Sequence, residues 1–230
     1  MEQPRLGRVR HWDPKNEDYY VEDKAPRLRA LGGELIKGRT LAANRDRAWR
    51  NWWWGNQGQT SQCTAYGTLH LMGCAPVIHK GKNPLWNPVD LYRLIQSIDI
   101  SEGRNYGFDG GATTLAACKA AERIGWIGGY EWVKDFESCL GYLHDVGPLI
   151  AGTNWYDSMF KRNEYHVTTI TNDAYVVGGH LYCVNGIYPQ LKRVRIAQTW
   201  GDGYYYLSIA DFRRLFEEDG EIALLRELPW

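Results

Sequence analysis

The residues on either side of Gly147-Pro148 obey different periodicities, and this break constrains the fold more than any other feature of the chain. Before it, apolar residues recur at helical spacing. Tyr66, Leu69 and Met72 share one face behind Cys63, with Gly73 as a stop. Asn87-Pro88 opens a second helix that carries Leu91, Leu94, Ile95 and Ile98 inward. Thr113 or Thr114 caps a third, with Leu115, Cys118, Ala121 and Ile124 on one stripe and Gly125 at its end. A fourth is expected from about Asp135 to Val146. After the break, Leu149–Trp155, His166–Ile170, Leu181–Ile187, Val194–Trp200 and Tyr204–Ile209 are rich in β-branched and aromatic residues and read as strands. A short helix over Asp211–Glu218 and a strand over Ile222–Leu225 complete the pattern. Helices first and strands second predict an α+β protein with two lobes.

Three segments follow: an N-terminal arm over residues 1–50, a helical lobe over 51–147 and a β-rich lobe over 148–230. The arm is polar and arginine-rich with weak periodicity, and is expected to wrap the domain, with a short helix near Thr40–Arg50. Lysine plus arginine equals aspartate plus glutamate, 27 each, so no net field draws the chain to nucleic acid or an anionic membrane. No apolar run reaches the length of a membrane span, and the charged start is not a signal peptide.

The five cysteines, Cys63, Cys74, Cys118, Cys139 and Cys183, include no CxxC pair, which argues against zinc. Their odd number argues for reduced thiols, most of them buried; Cys74, just past a helix end, is the one expected at the surface. Cys63 differs in its setting. A run of small polar residues and glycine, N-Q-G-Q-T-S-Q, leads directly into it at a helix start, where unpaired amides favour a thiolate. A nucleophile there also needs an imidazole, a group to orient that imidazole, and oxyanion donors. Gly179-His180 introduces the strand-like run L-Y-C-V-N-G-I, and Gln198-Thr199-Trp200-Gly201 ends another strand. His166, at a strand start, is the rival base.

In these segments the chain resembles the papain-like cysteine peptidases, over about residues 50–210. The resemblance implies a two-lobed fold, with a helical left lobe, an antiparallel, β-barrel-like right lobe and a cleft between them. It implies Cys63 as nucleophile, His180 as general base, and Gln198 as the group that orients the base. Gln57 and the Cys63 amide would form the oxyanion hole, Gly110 and Gly111 would line the substrate cleft, and Trp200 would shield the Gln198 contact. No cofactor or metal is implied, and the partner is a protein or peptide substrate.

The chain departs from the family pattern in several places. His180 follows Cys63 by 117 residues, against the family's roughly 130–150. The residue after the nucleophile is Thr64, and both positions of the usual disulfide are replaced, by Thr60 and Phe108, as suits a reducing compartment. Gln198 stands for the usual asparagine, and its extra methylene predicts weaker orientation of the ring. No inhibitory pro-segment is evident, so the arm itself is a candidate to lie in the cleft. Two other functions fit the residues: a catalytically weak or inert scaffold that meets an assembly partner through aromatic surfaces such as Trp52–Trp54, and a Cys-His amidase that cuts peptidoglycan. The compact form resembles bacterial and phage-borne members, so the expected location is the cytoplasm, or alternatively a phage particle.

Overall fold

The computed structural model describes residues 6–9, 45–77, 87–201 and 203–227. Among these, α1 (Cys63–Met72), α2 (Pro88–Ser101) and α3 (Thr114–Ile124) follow the expected boundaries. Local chemistry sets their ends. The Asn87 side chain accepts from the Val89 amide with Pro88 in the first turn, Thr113 accepts from Ala116, and Gly125 closes α3 in the left-handed conformation at φ 82°. Helix α4 (Phe136–Asp145) starts at Asp135, whose carboxylate accepts from the Ser138 amide.

The strands form one ten-stranded sheet with the path β4 (Ile127–Trp132), β10 (Glu221–Glu227), β5 (Leu149–Tyr156), β7 (Val176–Tyr188), β8 (Arg193–Ala197), β9 (Tyr204–Ser208) and β6 (Val167–Thr168). Its pairs are antiparallel except β6 with β9 and β1 (Arg8–Val9) with β3 (Ala112–Thr113). Helix α5 (Ile209–Asp219) is capped by the Ser208 hydroxyl. The architecture is α+β, as expected.

Three expectations fail in detail. Strand β4, I-G-G-Y-E-W, lies inside the segment assigned to the helical lobe. Pairing of Tyr130, Glu131 and Trp132 with β10 overrides the weak strand preference of its two glycines. Residues 47–48, placed in a short helix, form β2 and pair with Gly186 and Ile187 of β7; residues 40–44 lie outside the described residues. Only Val167 and Thr168 of His166–Ile170 are strand, because His166 turns at φ 58°.

Burial divides into two cores. The first gathers Leu69, Met72, Leu91, Ile95, Leu115 and Trp126 around α1, α2 and α3. The second gathers Phe136, Leu143, Trp155, Phe212 and Leu215, so α4 packs with α5 and the β-rich part instead of with α1–α3. Strand β7 supplies both: Leu181 and Cys183 enter the first core, Tyr182 and Val184 the second, as strict alternation along a strand requires.

A buried ion pair pins the edge of the first core. Asp99 accepts from the Thr113 amide at 2.9 Å, the Thr113 hydroxyl at 2.8 Å and Arg104 Nε at 2.8 Å. Removing the carboxylate leaves the almost buried Arg104 guanidinium with Glu102 alone among the described residues and leaves the buried Thr113 amide without its acceptor. Asp99→Ala should therefore lower stability by about 3–5 kcal/mol, read as a reduced urea midpoint with an unchanged slope. A loss below about 1 kcal/mol, the scale of an exposed pair, would show that the pair is not structural.

Candidate active site

Helix α1 begins at Cys63 and is buried along its length except at Tyr66. Small residues allow this. A Cβ on Gly67 would stand 2.4 Å from Leu181 Cδ2 and 3.0 Å from the Leu181 carbonyl oxygen, so the glycine is what lets α1 lie against β7. The loop before Cys63 is zipped to the segment after β8. Asn56 bridges Trp200, and the Gln57 amide donates to the Thr199 carbonyl at 2.8 Å. Long-range backbone pairing thus brings Gln57, Cys63, His180 and Gln198 into one region.

His180 is fully buried on β7. Its Nε2 lies 2.6 Å from Gln198 Oε1, which also accepts from the Thr199 amide at 2.8 Å. A carboxamide oxygen only accepts, so Nε2 carries the ring proton and the lone pair is left on Nδ1. Nδ1 is buried and makes no hydrogen bond to any described group. The longer Gln198 side chain folds back toward the next peptide unit, so that its oxygen meets both the ring and the Thr199 amide.

The ring sits in an aromatic box. Trp200 stacks on it at 4.5 Å and 12°, Trp155 meets it edge-on at 4.9 Å, and Tyr182 lies at 5.7 Å. Trp200 therefore covers the His180–Gln198 contact. Trp155 and Tyr182 went unforeseen, since nothing local distinguishes them from core aromatics. Gln57 is buried; its Nε2 donates to the Thr60 carbonyl at 2.7 Å and its Oε1 accepts from the Thr199 hydroxyl.

The Cys63 sulfur is covered by the chain's own arm. Residues Leu6–Val9 run between β3 and β7, with Arg8 opposite Ala112 in parallel register and opposite Gly179 in antiparallel register. The Ala112 amide donates to the Gly7 carbonyl at 2.7 Å. A Cβ on Gly111 would stand 2.1 Å from that carbonyl oxygen, and one on Gly7 would stand 1.8 Å from the Ser61 carbonyl oxygen. Both glycines are needed for so close an approach. A Cβ on Gly110 would stand 1.7 Å from the Tyr106 carbonyl oxygen.

Burial pushes the Cys63 thiol up to about 11, against the opposing pull of backbone hydrogen bonds from Leu181 and Gly7, the Arg8 charge and the Thr64 amide. Burial also pushes His180 down to about 4, opposed by its bond to Gln198. With the strap in place, both groups are neutral at pH 7.

The remaining candidates separate from this region. His166 lies exposed in a turn with Asn163. His70 is buried against Trp53 and Trp54 and bonded to Asn51 at 2.9 Å, and burial pushes it down to about 3. All five cysteines are free and buried. Cys74, expected at the surface, is enclosed 4.0 Å from the Cys183 sulfur, because the chain after α1 turns back against β7. Trp52 is half exposed beneath Arg50, whereas Trp53 and Trp54 pack on the first core.

The fold is that of the papain-like cysteine proteases. Among solved structures, the chain is similar to xylellain, a cysteine protease from Xylella fastidiosa, with a TM-score of 0.68 at 15% identity over 99% of this chain and 98% of that one. It is also similar to the Amb a 11 cysteine protease of ragweed pollen in its proform (TM-score 0.56, 13% identity, 92% and 77% covered). A mite-allergen structure concerned with Blo t 1 and Der p 1 matches with a TM-score of 0.52 at 14% identity, over 94% and 82%. No protein-family model matches the sequence, and no curated protein resembles it significantly.

The two suppressed histidines make stability acid-sensitive. Each is near 6.5 when unfolded and well below that when folded, so between pH 6.5 and about 4 the unfolded chain binds more protons. The contribution of these two rings is then level above pH 6.5 and falls on acidification, by at most about 2.7 kcal/mol per pH unit for two protons. Denaturant unfolding from pH 7.5 to 4 should show that fall, and His70→Gln should halve the slope. A flat profile would refute the burial of both rings.

Proposed function

We propose that this chain is a cysteine endopeptidase that works by acyl transfer to the Cys63 sulfur. The observation that supports this most directly is the His180–Gln198 bond beneath Trp200. It leaves a bare Nδ1 on the strand whose next amide, that of Leu181, reaches the Cys63 sulfur.

In this reading the strap leaves first. Water then reaches the sulfur and the ring, the desolvation that keeps both neutral falls away, and the thiol proton passes to His180 Nδ1. The thiolate attacks a peptide carbonyl carbon. The developing oxyanion is received by the Cys63 amide, which at a helix start has no intrahelical acceptor, and by the Gln57 side chain. His180 gives its proton to the leaving amine as the C–N bond breaks. It then takes a proton from water, whose oxygen displaces sulfur from the thioester and releases the acid. Gln198 holds Nε2–H throughout, and the Trp200 face excludes water from that bond. Gly111 and Ala112 receive the substrate strand by β-addition, on the edge that Gly7 and Arg8 now use.

Three experiments test this. Cys63→Ala should abolish hydrolysis of a denatured protein substrate and labelling by a thiol-directed epoxide. Gln57→Ala should lower kcat about 10²–10³-fold with little change in KM. Deleting residues 1–40 should raise the rate on peptide substrates. A folded, arm-deleted protein that neither labels at Cys63 nor cuts casein would favour an inert assembly scaffold. Activity on purified cell wall with none on casein would reassign it as an amidase.

A further inference from the structure

The arm is held by more than its backbone. Arg8 turns into the body of the molecule, where its side chain is 1% exposed. Its Nη2 lies 2.7 Å from Glu221 Oε2 and 3.3 Å from the Asp219 carbonyl, and its Nε donates to the same carboxylate oxygen at 3.2 Å. A guanidinium so enclosed needs a built pocket, and two glycines supply the room. A Cβ on Gly179 would fall 2.9 Å from Arg8 Cδ, and one on Gly152 would fall 3.0 Å from Arg8 Nε and 2.2 Å from Thr114 Oγ1. That Thr114 hydroxyl is itself buried with no partner among the described groups. The pocket therefore has glycine walls, a carboxylate, a carbonyl and a spare hydroxyl, and it opens between the two backbone edges that flank the Cys63 sulfur.

These groups are fixed by the body of the fold. Glu221 opens β10 opposite Gly152 of β5, Asp219 ends α5, and Thr114 begins α3. The strap is thus a ligand seated in a site that other elements build. A carboxylate as enclosed as Glu221, 17% exposed, is costly to leave without a cation, so the empty pocket discriminates against an apolar or acidic side chain.

We infer that this pocket is the specificity subsite of the enzyme, and that the peptides it accepts present an arginine side chain where the strap presents Arg8. The inference rests on the peptidase reading for its biological meaning, but the pocket's preference can be measured without turnover.

The experiment uses the full-length chain with Arg8→Ala, which empties the pocket, in a Cys63→Ala background for binding and with Cys63 intact for turnover. The probes are the capped strap peptide Leu-Gly-Arg-Val and its analogue with norleucine in place of arginine, with affinities measured by calorimetry. The arginine peptide should bind at least about tenfold more tightly, since truncating one partner of a buried charge pair is worth at least that. Glu221→Gln should erase the difference. The same preference should appear in turnover of peptides that differ only at that side chain. Equal affinity for the two peptides would overturn the inference; if neither displaces the strap backbone, equal rates of Cys63 alkylation by arginyl and norleucyl chloromethyl ketones would do so. A clear arginine preference with no hydrolysis of any peptide would reject the peptidase reading while the pocket assignment stands. Equal cleavage of arginine and norleucine substrates would do the reverse. If Arg8→Ala does not fold, the wild-type chain serves. Its Cys63 should then react faster with an arginyl than with a norleucyl chloromethyl ketone, and equal rates would refute the inference.

Discussion

Strand β7 carries the constraint on which the rest depends. It is thirteen residues long, and it pairs with β5, β8, β1 and β2 while feeding both cores from alternate faces. A shift of one residue would exchange Leu181 and Cys183 with Tyr182 and Val184 between cores that differ in shape and composition, so register is strongly specified. His180 shares its face with Tyr182, which sends the imidazole toward Trp155 and Trp200. The following residue, Leu181, faces α1 and meets Gly67 and the Cys63 sulfur. One alternation therefore places the ring in an aromatic box and the sulfur beside the adjacent amide.

The strap uses the same geometry. A strand between β3 and β7 satisfies backbone groups on both edges, which is the kind of contact an extended peptide substrate makes by β-addition. By excluding water it also reverses the electrostatics a nucleophile needs, since a buried thiol and a buried imidazole each favour the neutral form. Occupying the edges and burying the Cys63 thiol and the His180 ring are thus one event.

Much of this was legible from local chemistry. The caps of α2 and α3 are written in Asn87-Pro88, Thr113 and Gly125, and the loop-to-helix junction at Cys63 marks itself by its small polar run. The Gly179-His180 and Gln198-Trp200 segments are similarly short-range. What escaped notice depends on contacts distant in sequence. Arg8 meets Glu221 across 213 residues, and nothing near either residue announces the other. Strand β4 carries two glycines whose local preference loses to pairing with β10. Trp155 is chemically indistinct from any core tryptophan until Trp200 and His180 are placed beside it.

The glutamine at 198 shows how a neighbouring residue can absorb a change in side-chain length. A longer amide loses rotamer entropy when fixed and needs a second anchor to hold its oxygen still. Thr199 supplies that anchor through its amide, while its hydroxyl donates to Gln57 Oε1. Because Oε1 of Gln57 is then engaged as an acceptor, Nε2 is the donor end of the carboxamide, directed to the Thr60 carbonyl. One threonine thereby fixes both the acceptor behind the imidazole and the orientation of the Gln57 carboxamide. Both amides thus meet at Thr199, the Gln198 oxygen on its backbone amide and the Gln57 oxygen on its hydroxyl.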